Sequence, residues 1–208
     1  MNKQSLIIKA ELIDTLLSKC SFDLIISELP FLKGNRLADL VAIKQNTSIG
    51  FEIKSANDSL ICLQKQISDY IKVFNMVYIV IADKFYNHPT IKSIPKSVGI
   101  ITVSSTTKKL YLKRKAFQRL KLDRQALLSL LWKKDLILLT KKNYQIDINT
   151  LQSIALKYHS TSQIQQQVFK SLKTRYFMAY QMFLKDRDRY TSIEDLRTIT
   201  GLKKNLFV

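Results

Sequence analysis

Residues 76–83 read MVYIVIAD, seven apolar or aromatic positions before the first charge. A run this short and this apolar fits a strand covered on both faces, which places it inside a sheet flanked by helices. The segments around it supply the rest of such a fold. Leu6, Ile7, Ala10, Leu12, Ile13, Leu16 and Leu17 recur at helical spacing, predicting a helix over 3–19. FDLIISELP (22–30) predicts a strand ending at Pro30, and LADLVAIK (37–44) and IGFEIKS (49–55) two more, joined by a polar turn. Asn57 or Asp58 is placed to cap a helix running to about Phe74. A further strand is expected over VGIITVS (98–104). The order αβββαββ gives an α/β class with a mixed sheet.

Charge divides the chain. Residues 1–106 hold 12 Lys plus Arg against 9 acids, net +3, whereas residues 107–208 hold 22 against 7, net +15. The expected organisation is a core domain over 1–106, a basic linker or edge element over 107–124, and a basic, mostly helical domain over 125–208. A total of +18 points to a polyanionic partner, nucleic acid before anionic membrane; the bland alternative is a lysine-rich proteome. Lys108, Lys109, Lys113, Arg114, Lys115 and Arg119 form a dense run suited to backbone phosphates. Gln125–Leu139 reads as one long helix with Trp132 in the core. Helices follow over 151–159, capped by Asn149 or Thr150, and over SQIQQQVFKSLKTRYFMAYQMFLKD. Tyr176, Phe177, Tyr180 and Phe183 read as a core stripe rather than a base-stacking platform. SIEDLRTITGLKKN, with Ser192 as cap, Asp195 completing a capping box and Gly201 ending the helix, resembles the start of a helix-turn-helix, and the half as a whole reads as helix-turn-helix or winged-helix-like.

Cys20 and Cys62 lie outside any metal-binding spacing and read as two buried, reduced thiols. No apolar run reaches the ~18 residues of a membrane span, and the charged first residues do not read as a signal peptide. A cytoplasmic protein is expected, with no membrane partner. His88 and His159 are isolated and receive no role.

Two carboxylates sit in the predicted strands. Side chains alternate along a strand, so Glu52 and Lys54 share a face. Pairing of 37–44 with 49–55 brings Asp39 close to Glu52. Two adjacent carboxylates repel unless a cation joins them, and oxygen ligands suit Mg²⁺ or Mn²⁺. Such an ion acidifies a bound water and polarises a phosphoryl oxygen. Lys54 is placed to orient or deprotonate that water, and Glu28, on the preceding strand, to add a second-metal ligand or hold a metal-bound water. Glu11 is an alternative second acid, ranked lower because Asp14 and Lys9 beside it read as a solvated face.

Asp39, twelve residues, then Glu52-Ile53-Lys54 resembles the motif of the PD-(D/E)XK nuclease superfamily, and the αβββαβ order of 3–83 resembles its restriction-endonuclease-like core. The stretch is similar to one branch of small bacterial and phage proteins through Arg36 and Asp39, Glu52 to Ser55, Asp58 and Leu60, and Gln66 and Tyr70. It departs from that branch at Cys62, where arginine is usual; Ala38 in place of proline is ordinary superfamily variation. The likeness is good over 20–85 and loose beyond 125. It implies Asp39, Glu52 and the Ile53 carbonyl as ligands of Mg²⁺ or Mn²⁺, Lys54 as the catalytic lysine, Gln66 at the phosphate or attacking water, and Arg36 on a phosphate. The implied activity is metal-dependent cleavage of nucleic acid, most readily DNA, by a bacterial or phage-encoded protein, with a homodimer allowed. The alternatives are a catalytically silent DNA-binding or assembly module of the same fold and, more weakly, a basic scaffold for RNA or anionic lipid.

Overall fold

The computed structural model describes residues 2–201. Helix α1 (Lys3–Lys19) precedes strands β1 (Leu24–Phe31), β2 (Arg36–Lys44) and β3 (Thr47–Lys54). Helix α2 (Leu63–Val73) leads into β4 (Met76–Ala82), and a 3₁₀ turn with the short α3 (Pro89–Lys92) leads into β5 (Gly99–Val103) and β6 (Leu110–Arg114). Helices α4 (Arg124–Leu128), α5 (Lys133–Thr140), α6 (Ile148–Tyr158), α7 (Thr161–Asp186) and α8 (Ile193–Thr198) complete the chain.

The six strands form one mixed sheet in sequence order. β1–β2, β2–β3 and β5–β6 are antiparallel; β3–β4 and β4–β5 are parallel, so crossovers fall where α2 and α3 lie. Val77, Ile79, Val80 and Ile81 of β4 are fully buried, as a central strand covered on both faces requires. Leu110–Arg114, within the stretch expected to be a linker or edge element, is the outermost strand. Gly50 lets helix and sheet approach closely: a Cβ there would lie 2.5 Å from the Phe74 ring.

Buried apolar side chains from both halves of the chain form one continuous cluster, from Ile8 to Ile199. Helix α7 packs on β1, and α4 packs between α2 and α7. Asp14 of α1 clasps the far end of the chain, accepting from Thr191 N–H and Oγ1 and from the Arg187 guanidinium. Residues 199–201 run along the outer edge of β1. Ser27 N–H donates to the Ile199 carbonyl at 2.8 Å, and Gly201 N–H to the Ser27 carbonyl at 2.6 Å.

Several expectations are corrected. Helix α2 begins at Leu63, with no side-chain cap. Asp58 instead folds back on Ser55, accepting its N–H and hydroxyl at 2.8 and 2.7 Å, which holds residues 55–58 in a turn. The single helix over 125–139 is two. Ser129 Oγ donates to the Ala126 carbonyl and accepts Leu32 N–H, competing with the helical ladder. The Asp135 carboxylate then takes the Trp132 N–H and restarts a helix. Trp132 is consequently half-exposed rather than core, and Phe177 is exposed too, while Tyr180 and Phe183 are buried. Asp147 caps α6 in place of Asn149 or Thr150, because its carboxylate reaches Thr150 N–H. Ser192 and Asp195 form the expected capping box, but α8 ends at Thr198, before Gly201. Residues 202–205 of the helix-turn-helix stretch lie outside the described residues. Cys62 is exposed and Cys20 half-buried; both are free thiols.

Candidate functional site

The ladder between β2 and β3 has its last regular pair at Leu40 and Phe51, although both strands continue past it. Asp39 and Glu52 are the next residues on either side. In the gap, two other groups replace the backbone ladder. Asp39 Oδ2 accepts the Ile53 N–H at 2.7 Å. The Tyr70 hydroxyl accepts the Asp39 N–H at 3.1 Å and donates to the Phe51 carbonyl at 3.4 Å. In an extended strand the N–H and C=O of one residue point to the same side. The Ile53 carbonyl therefore faces the gap that its N–H faces.

Glu52 is only 2% exposed. Its Oε1 pairs with Lys54 Nζ at 2.9 Å, which puts both groups on one face as strand alternation requires. Its Oε2 is buried with no hydrogen-bond partner. Burial and then the charge of Glu52 push the Asp39 carboxyl up to about 7, against the pull of the Ile53 N–H, Lys9 and Lys54. Burial, followed by the charges of Glu52 and Asp39, pushes the Tyr70 phenol well above its usual range, so it stays a proton donor.

Glu28 lies opposite Asp39 across the β1–β2 ladder, where the register runs from Ser27–Leu40 to Leu29–Ala38. It holds a left-handed backbone, φ 57°, a conformation that costs a non-glycine residue about 1 kcal/mol or more and concentrates at functional sites. Its carboxylate sits 3.4 Å from Lys9 Nζ, which also donates to Ser27 Oγ at 2.8 Å. Lys9 is fully buried. Desolvation lowers its pKa from the ordinary lysine value, offset in part by Glu28 and Asp39. This overturns the reading of Lys9 as part of a solvated face. Lys9 shares one stripe of α1 with Ser5, Leu12 and Ile13, all buried, and that spacing was its available signal.

Gln66 lies one helical turn before Tyr70 on α2, and its Oε1 is buried without a partner. Arg36 is engaged elsewhere: its Nε donates to Asp69 Oδ2 at 2.7 Å, and Lys72 holds the other oxygen. Glu11, half-exposed on α1, belongs to none of these contacts. The Asp58 turn pins the end of β3 to α1, since its carboxylate also accepts from Ser5 Oγ and Asn2 Nδ2. Burial alone would raise the Asp58 carboxyl, but the Ser55 and Ser5 hydrogen bonds outweigh it and hold it below the usual range.

Of the basic run, Lys109, Lys113 and Lys115 are exposed, with Lys113 Nζ over the Tyr86 and Tyr111 rings. Lys108 is exposed and donates to the Ser105 carbonyl. Arg114 and Arg119 are tied down: Arg114 donates to the Val98 and Pro95 carbonyls, and Arg119 to Ser97 Oγ.

The residues fit a hard divalent cation in part. The Asp39 and Glu52 carboxylates are close enough to feel one another's charge, the Ile53 carbonyl faces the gap that Asp39 enters, and one Glu52 oxygen has no hydrogen-bond partner. Among the described residues no three His, Cys, Asp or Glu side chains converge to hold a metal by themselves. A bound ion would therefore keep water or substrate in its remaining positions, as Mg²⁺ commonly does.

Among the described residues, no helix is long and apolar enough to cross a membrane. No curated protein and no solved structure matches the chain. A family model described as bacteriophage P4 protein cII matches residues 2–200, and the chain belongs to that family.

Proposed function

We propose that this member of the P4 cII family is a metal-dependent nuclease that hydrolyses phosphodiester bonds, most readily those of DNA. The reading takes the sheet with α1 and α2 as a restriction-endonuclease-like core. It takes the basic helical region, including the α8 start of a helix-turn-helix-like segment, as the part that meets the nucleic acid. One observation carries it: the buried, unpartnered Glu52 Oε2 sits beside an Asp39 carboxyl held near neutrality, with the Lys54 ammonium 2.9 Å from the other Glu52 oxygen. Isolated structural carboxylates do not usually leave an oxygen unsatisfied in the interior.

Asp39, Glu52 and the Ile53 carbonyl would hold Mg²⁺ or Mn²⁺. When bound, the ion supplies Lewis acidity and a water of lowered pKa. Lys54, paired with Glu52, would orient the attacking water and offset charge gathering on the phosphoryl oxygens. Tyr70 and the Ile53 N–H fix the position of Asp39. Gln66 offers a free acceptor to a water proton. Glu28, held by Lys9, stands across the ladder as a further carboxylate. Lys109, Lys113 and Lys115 give phosphate contacts without sequence readout. One such site cuts one strand, so a double-strand break requires a homodimer or two events.

The test is plasmid nicking with Mg²⁺ or Mn²⁺. Asp39→Ala, Glu52→Ala and Lys54→Ala each abolish it while DNA binding persists. Wild-type protein that cuts no single-stranded, double-stranded or branched DNA, and no RNA, with either ion ends the enzyme reading. Retained binding would then leave the silent DNA-binding module.

A further inference from the structure

At the opposite side of the β1–β2 turn from the sheet interior, a cavity of about 260 Å³ opens between that turn and the α4–α5 junction. Its walls include Pro30, Lys33, Leu130, Trp132, Arg175 and Tyr176, and among the described residues no acidic one lines it. Trp132 is the chain's single tryptophan and is 50% exposed. The Arg175 guanidinium lies 4.7 Å from the Trp132 ring centre and 5.5 Å from that of Tyr176, and Lys134 Nζ lies 5.1 Å from Trp132.

These groups are held in place. Asp135 accepts the Trp132 N–H at 2.9 Å and the Ser171 hydroxyl at 2.7 Å. Arg175 donates to the Leu130 carbonyl at 2.8 Å and to the Ser171 carbonyl at 3.3 Å. Lys33 sits at the tip of a turn whose residues Leu32, Lys33 and Gly34 are all left-handed, and Leu32 N–H is anchored on Ser129 Oγ. Among the described residues, none of Lys33, Lys134 and Arg175 is paired with a carboxylate. A concave wall holding an exposed tryptophan, a guanidinium stacked between two aromatic rings and the Lys33 ammonium suits a ligand with a π face and a negative backbone. A base inside a duplex is already stacked and cannot enter; an unpaired one can.

We infer that the Trp132–Lys33 cavity binds an unpaired nucleotide, its base against Trp132 and Tyr176 and its phosphate near Lys33 and Arg175. The substrate of the proposed site is thus nucleic acid with a single-stranded segment. The inference rests on the nuclease reading only for the identity of the polymer.

The full chain is titrated in EDTA, where no divalent ion supports cleavage, with oligothymidylate and with a blunt duplex. Trp132 fluorescence is read directly, and anisotropy of labelled oligonucleotide is read in parallel. The single strand is expected to quench Trp132 saturably and the duplex is not. Trp132→Ala lowers single-strand affinity about tenfold, as loss of one stacked base does, and leaves duplex affinity unchanged; Trp132→Phe restores most of it. Lys33→Gln, at an exposed turn, lowers the slope of log affinity against log salt by about 0.7, and tests the site even if Trp132→Ala fails to fold. Unchanged single-strand affinity in both Trp132→Ala and Lys33→Gln, or no quenching in wild type, overturns the inference. So do equal losses on both ligands. Nicking without quenching removes this site and leaves the nuclease; quenching without nicking does the reverse. A protein that binds neither oligonucleotide removes both.

Discussion

The hydroxyl of Tyr70 accepts the backbone N–H of Asp39 at 3.1 Å, standing where the β2–β3 ladder would otherwise continue. Tyr70→Phe leaves that N–H and the Phe51 carbonyl without this partner inside the protein. The expected cost is about 1–3 kcal/mol, measured by urea unfolding. Metal-dependent nicking should fall as well, because Asp39 loses its brace. Unchanged stability would show that water replaces the hydroxyl.

The raised Asp39 carboxyl sets a pH dependence. In the folded protein it keeps its proton up to about 7, whereas an unfolded aspartate loses it near its ordinary value of 3.8. Between those values the folded state binds more protons, so its stability falls as pH rises. Metal-free melting temperatures should therefore decline across this window in wild type relative to Asp39→Asn. Mn²⁺ added near neutral pH should raise the wild-type melting temperature and leave that of Asp39→Asn unchanged.

Lys9→Met keeps the volume of the buried side chain and removes its charge. Glu28 and Asp39 then lack a cation that offsets them. We expect destabilisation of about 2 kcal/mol or more, less than the 3–5 typical of a fully buried pair, since Glu28 reaches solvent. Calorimetry at neutral pH measures it, and Lys9→Met combined with Glu28→Gln should recover part of the loss.

Gly50→Ala places a methyl 2.5 Å from the Phe74 ring, a contact that backbone or ring must relieve. Overpacking of this kind costs about 1–3 kcal/mol. Chemical denaturation should register it with the far-ultraviolet spectrum preserved.

Thiol labelling separates the two cysteines. Cys62 is exposed and Cys20 half-buried, so a maleimide should modify Cys62 quickly and Cys20 more slowly in native protein. Cys62→Ser should remove the fast phase.

The parts of this fold that are readable in advance are those whose side chains repeat with the element's own period. β2, β3 and β4 announce themselves by apolar runs, and Glu52 and Lys54 by two-residue spacing. Lys9 escapes because a lysine on an amphipathic helix ordinarily faces water; only its position in the Ser5–Leu12–Ile13 stripe says otherwise. The helix over 125–139 looks continuous because nothing in its apolar pattern marks Ser129, whose partner Leu32 is distant in sequence. Trp132 is misread for the same reason: its exposure follows from that break. Asp58 has the composition of a helix cap, and its choice of Ser55 is decided by Asn2 and Ser5 arriving from α1. Each miss is a tertiary contact overriding a sound local preference.

The bridge between Ser27 and Thr200 joins segments from nearly opposite ends of the described chain. During synthesis β1 emerges early, yet its free edge waits for residues 199–201 before Ser27 finds its outer partners. Until then the nascent protein carries an open strand beside Glu28, so completion of this corner is a late event in folding. Loss of these last contacts would expose an edge on which a second chain could template.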